Sequence, residues 1–113
     1  MTMSKRADRV VEIAPAGEID IDNAYDIREA VSAQLTGTRP ARIELNMQHV
    51  TFIDSVGITA LVGAAQLAQV GGVPLVVTRP SPFAHRQLWV TGLLGLFGSP
   101  APYEAEEPVG SGR

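Results

Sequence analysis

A chain of 113 residues has the length of one domain and can bury roughly 60–70% of the surface its unfolded form exposes. Hydrophobic residues at 45% and charged residues at 19% exclude a disordered chain, and a net charge of −3 with scattered Lys and Arg argues against direct nucleic-acid binding. The lack of Cys excludes disulfides, thiolate metal sites and thiol nucleophiles, and agrees with a cytoplasmic setting.

Met1 to Arg9 is polar, lacks the apolar stretch of a secretory signal, and is expected to be flexible over residues 1–8. Arg9 to Ala14 and Ala16 to Ile19 read as two strands, and Pro15 between them makes a hairpin plausible. From Asp22 the period changes: Ala24, Ile27, Val31 and Leu35 recur at helical spacing, Asp22 or Asn23 can cap the start, and Gly37 ends the helix. Arg42 to Asn46 alternates as a strand, and Met47 to Thr51 reads as a loop leading through Phe52-Ile53 into a second helix. That helix starts at Asp54 and stops at Gly71-Gly72.

Pro74 to Thr78 is a short buried strand, and Ser81 as N-cap with Pro82 at the first helical position starts a third helix that runs to Thr91 before Gly92. Leu93 to Phe97 is expected to turn back onto the core, which makes residues 9–97 the domain and 98–113 a disordered tail. Strands alternating with helices imply an α/β fold, with parallel crossover units in a sheet opened by a hairpin. The most apolar window, Val56 to Val70, is shorter than the ~20 residues a membrane-spanning helix needs, so no membrane insertion is expected.

Catalytic constellations are thin. His49 and His85 are the two histidines, neither at ligand spacing to another, and there is no Gly-x-Ser-x-Gly elbow and no phosphate-cradling loop with Lys. The expectation is a protein that is not an enzyme, with no catalytic residues, metal or cofactor of its own. Among the acidic residues, Asp22 and Asp26 suit a helix start. Asp20 and Asp54 each sit where a strand gives way to a helix, so in a parallel sheet they can share the edge at which partners approach.

Asp54 can cap the second helix, leaving Ser55 in its first turn with an exposed hydroxyl near unpaired N–H groups that favour an anion such as a phosphoserine. Asp-Ser is common at a helix start, and on the local pattern alone a plain capping role is the ordinary reading. The helix behind it has two apolar stripes: Ile58, Leu61, Val62, Ala65 and Ala68 on one side, and Val56, Ala60, Gly63, Leu67 and Val70 on the other. No charged residue occurs from Ser55 to Thr78. The second stripe meets either a protein partner or dimer mate, or a neighbouring helix.

Three segments, Gly17-Glu18-Ile19-Asp20-Ile21, Phe52-Ile53-Asp54-Ser55-Val56-Gly57-Ile58 and Pro82 through Thr91-Gly92-Leu93, make the chain resemble the STAS domain over Val10 to Phe97. Within that family it is similar to the bacterial anti-sigma factor antagonists. The resemblance implies a four- to five-stranded mixed sheet with helices packed mainly on one side, and phosphorylation of Ser55 by a partner. That partner would be an anti-sigma factor with serine kinase activity, which itself binds ATP and Mg²⁺. The unphosphorylated chain would bind it and release a sigma factor, and a phosphatase would reverse the modification.

On the same resemblance Asp20, Asp54 and Gly57 are expected to bind the partner, Gly57 giving it close access, and the second apolar stripe adds Val56, Ala60, Gly63 and Leu67 to the expected partner-binding residues. The chain itself would be a monomer or weak homodimer. The alternative within the family is an unphosphorylated adaptor subunit of a transporter ATPase or sensory complex. Val56, Leu67 and Val70 depart from the family by being apolar, and Trp89 falls one residue past the core position Leu88, where it either projects outward or is half-buried.

Overall fold

In the computed structural model, which describes residues 1–93, the second strand is the first element with a buried face: β2 (Val10–Ala14). It pairs in parallel with β4 (Arg42–Asn46), which pairs in parallel with β6 (Leu75–Thr78). The register sets Val11 beside Ile43 beside Leu75, and Ile13 beside Leu45 beside Val77, so one face of the sheet is a continuous apolar layer. Full burial of each such side chain contributes about 1.5–3 kcal/mol. The opposite face carries Glu12, Glu44 and Asn46. There Arg6 and Arg42 both reach Glu44, and the Asn46 side chain donates to Glu12 at 3.2 Å.

The fourth member of the sheet is β1 (Thr2–Lys5), antiparallel to β2 with Thr2 opposite Ala14 and Lys5 opposite Val11. The segment expected to be flexible is therefore a strand over half its length. All four of its residues are exposed, so no alternating pattern marks it; main-chain bonds to the edge of β2 hold it. The opening hairpin is β1–β2 rather than the two runs flanking Pro15. Its turn is fixed by the amides of Arg6 and Arg9, which donate to Val10 and Arg6 carbonyls at 2.9 and 3.1 Å, and by Asp8, which accepts from the Val10 amide at 3.2 Å.

Beyond Pro15 the chain continues as β3 (Ala16–Ile19), paired in parallel with β5 (His49–Ile53) in a two-stranded sheet of its own. The stretch expected as a loop is thus largely strand, with Met47 and Gln48 as the connection. The expected mixed sheet opened by a hairpin is present with four strands, and a second small sheet lies beside it in the topology.

Helices α1 (Ala24–Gln34), α2 (Ser55–Val70) and α3 (Pro82–Val90) bury residues into the same core as the apolar strand face. A Cβ on Gly63 would meet Arg28 and one on Gly71 would meet Leu35, so α1 and α2 run side by side in the same direction. Ser81 caps α3: its hydroxyl accepts from the Ala84 amide at 3.0 Å and donates to the Val50 carbonyl at 2.7 Å, tying the helix start to β5. Trp89 is 67% exposed, which settles its two readings in favour of outward projection. Leu93 packs against the core, while the expected return of residues 94–97 and the tail from 98 lie outside the described residues.

Candidate functional site

The parallel pairing of β3 with β5 sets Ile19 opposite Ile53, so Asp20 and Asp54 leave the same edge of the small sheet. The Asp54 amide donates to the Ile19 carbonyl at 3.1 Å, which locks the two exits together. From there Asp54 caps α2: its Oδ1 accepts from the Gly57 amide at 2.8 Å, and its carbonyl accepts from the Ile58 amide at 2.9 Å.

Because Asp54 does the capping, Ser55 is left as the first helical residue, exposed, with a hydroxyl that makes no hydrogen bond to the described residues. The amides of the first turn other than those engaged by Asp54 have no intrahelical acceptor, and the helix dipole adds partial positive charge there. An anion on the Ser55 oxygen would meet donors at its own helix start.

Asp20 is half-buried and organises the other exit. Its Oδ1 accepts from the Asp22 amide at 3.0 Å, and its carbonyl accepts from the Asn23 and Ala24 amides at 3.2 and 2.8 Å. Asn23 holds the N-cap position of α1, but its side chain makes no capping bond. It reaches back to the Asp20 amide at 2.9 Å and the Glu18 carbonyl at 2.7 Å, so neither Asp22 nor Asn23 caps α1 with its side chain. With Glu18, Asp22 and Asp26 exposed nearby in sequence, this end of the molecule is acidic.

Gly57 points inward. A Cβ there would lie 2.7 Å from the Ile19 carbonyl oxygen and 2.9 Å from Ile53 Cγ2, so the missing side chain lets the first turn of α2 settle on the ends of β3 and β5. The access expected for a partner is in the geometry a close approach of the protein to itself.

The second stripe of α2 is partly covered by α1. Ala60 is buried, Val56, Gly63 and Leu67 are half-buried, and Val70 is 89% exposed. Small residues let the parallel helices approach, which is the helix-packing alternative left open by the sequence. What stays open is a groove of about 400 Å³ between the helices, with Ala60 and Gly63 among Tyr25, Arg28, Ile58 and Val62. Leu67 lines a neighbouring hollow.

Three exposed apolar side chains were not singled out in the sequence as site residues: Ile21 at 66%, Tyr25 at 58% and Phe52 at 44% exposed. Phe52 also contacts Phe83 of α3, with ring centroids 5.7 Å apart. Ile21 and Phe52 lie inside the recognised motifs, and the signal that could have marked them is an apolar residue at a strand-to-helix exit. No helix among the described residues is long and apolar enough to cross a membrane.

The family model for the STAS domain matches residues 2–107. Among solved structures, the anti-sigma factor antagonist SpoIIAA in its unphosphorylated form superposes with a TM-score of 0.73 at 21% identity, over 92% of this chain and 90% of that one. The Bacillus cell fate determinant SpoIIAA in the phosphorylated form gives 0.67 at 21%, over 92% and 94%. An anti-sigma factor antagonist from Mycobacterium paratuberculosis gives 0.71 at 25%, over 91% and 87%.

Proposed function

The chain belongs to the STAS domain family, and we propose that within it this protein is an anti-sigma factor antagonist switched by phosphorylation of Ser55. One observation carries the reading. Asp54 takes the capping role, so the exposed Ser55 hydroxyl is free of structural work among the described residues, at a helix start suited to a phosphate. Likeness to an antagonist solved in unphosphorylated and phosphorylated forms supports it.

In this reading the unphosphorylated chain docks on an anti-sigma factor that is also a serine kinase, and a sigma factor is released. Asp20, Asp54, Ser55 and Val56 form the contact, and the groove containing Ala60 and Gly63 extends it, with Leu67 at its margin. Gly57 supports the surface from beneath. ATP and Mg²⁺ belong to the partner, so the chain needs no nucleotide loop and is not itself an enzyme; a phosphatase resets it in the cytoplasm. Phosphorylation adds about −1.5 to −2 charges beside Asp54 and Asp20, and burying that charge against the partner costs binding energy.

The test is incubation of the purified chain with kinase-type anti-sigma factors from its own genome, ATP and Mg²⁺, followed by intact-mass analysis. A single phosphate that Ser55→Ala abolishes supports the proposal. Absence of phosphate transfer, together with unchanged partner binding by Ser55→Ala, overturns it.

A further inference from the structure

Four of the nine Lys and Arg residues of the chain line one cleft, at the end of the β2–β3 run farthest from Ser55. Lys5, Arg6, Arg9 and Arg39 surround it, Val10 and Val11 lie beneath, and its volume is about 290 Å³. The β1–β2 hairpin gathers three of them, since Lys5 pairs with Val11 and the Arg6 and Arg9 amides close its turn on the Val10 and Arg6 carbonyls. Loop residue Arg39 is brought in by the Ala41 amide, which donates to the Arg9 carbonyl at 2.8 Å.

Two of the cations are fixed in position by main-chain acceptors. Arg39 donates from Nε to the Leu35 carbonyl at 3.0 Å and from Nη1 to the Gly71 carbonyl at 3.1 Å, closing the ends of both α1 and α2. Arg9, at a left-handed φ of 66°, donates from Nη2 to the Arg39 carbonyl at 2.7 Å. A guanidinium carries five N–H donors, so most of those on both residues remain open.

Charge is not balanced at the cleft. Arg6 is met by Glu44 at 3.1 Å and by Asp8 at 3.5 Å, and Glu44 is shared with Arg42. Lys5, Arg9 and Arg39 have no carboxylate partner among the described residues. Three like charges around one hollow, two of them held in place, make the cleft positive in a chain whose net charge is −3, and an anion between them would relieve their repulsion.

We propose that this cleft binds a small polyanion of the size and charge of pyrophosphate, a ligand with several anionic oxygens for the forked donors of Arg9 and Arg39 and the ammonium of Lys5. The site is independent of Ser55 and of the antagonist reading. Phosphoryl and carboxylate ligands share this chemistry, and the test separates them.

The full chain, ¹⁵N-labelled, is titrated at low ionic strength with pyrophosphate, with inorganic phosphate and with citrate. Saturable shifts are expected at the amides of Lys5, Arg9, Val10 and Arg39 and not at Ser55, with half-saturation at or below about 1 mM for one polyanion. Stronger binding of pyrophosphate than of citrate assigns a phosphoryl ligand, and the reverse order a carboxylate one. Lys5→Gln, on an exposed strand, is expected to weaken binding roughly threefold, the scale of one exposed ion pair. Lys5→Gln with Arg9→Gln should weaken it roughly tenfold. Shifts that rise linearly with every anion, or an affinity that Lys5→Gln leaves unchanged, overturn the proposal.

Discussion

The carbonyl oxygen of Ile19 lies 2.7 Å from the point where a Cβ on Gly57 would sit, and it also accepts the Asp54 amide at 3.1 Å. One peptide group thus fixes both the cap of α2 and the depth of its first turn. Gly57→Ala must displace main chain, and a loss of about 1–3 kcal/mol is expected in urea unfolding. Gly63→Ala is the control: its new methyl would meet the Arg28 side chain at 3.5 Å, an ordinary contact, and should be neutral or stabilising by up to about 1 kcal/mol. Equal losses in the two variants would contradict this packing.

Ser55→Ala and Ser55→Glu should each change unfolding free energy by no more than about 0.5 kcal/mol, because the hydroxyl supports no bond among the described residues. Ser55→Glu should weaken partner binding by tenfold or more, on the order of 1.4 kcal/mol, in a calorimetric titration. A large stability loss in Ser55→Ala would return the residue to a capping role.

Asp54→Ala removes the acceptor of the Gly57 amide and should cost about 1 kcal/mol, whereas Asp54→Asn, an equally good cap, should cost little. Asp20→Ala loses one exposed turn bond and is expected to stay within about 1 kcal/mol of the parent while impairing docking or phosphorylation. Normal phosphorylation and binding by Asp20→Ala would remove it from the contact surface.

Ser81→Ala should be among the costlier small substitutions. It leaves the buried Ala84 amide without its cap and the Val50 carbonyl without its donor, at about 1–3 kcal/mol. Chemical denaturation measures this, and Ser81→Thr, which keeps the hydroxyl, should recover part of the loss.

Much of this architecture was legible in the sequence because its signals are local. The caps at Asp54 and Ser81 and the helical spacing of Ala24, Ile27 and Val31 each needed only neighbouring residues to be read. What escaped depended on a pairing partner rather than on a strand's own pattern. β1 has no buried face to alternate and exists through its hairpin pairing with β2, while β5 begins with an exposed His49 and exists through pairing with the distant β3. The same holds at the site: Asp20 and Asp54 were placeable on one edge from strand order, but the burial of Gly57 depends on Ile19, and that of Ala60 on tertiary packing beyond its own helix.

The two ends of the β2–β3 run carry opposite charge, with carboxylates gathered around Ser55 and unpaired cations around Arg9 and Arg39. Such a molecule has an electric dipole directed along that run and turns in the field of an approaching surface before any contact forms. A partner with a basic face would meet Ser55 first in more of its collisions. Added salt should then slow association more than it hastens release, and each phosphate placed on Ser55 would enlarge the dipole even as it blocks the docked state.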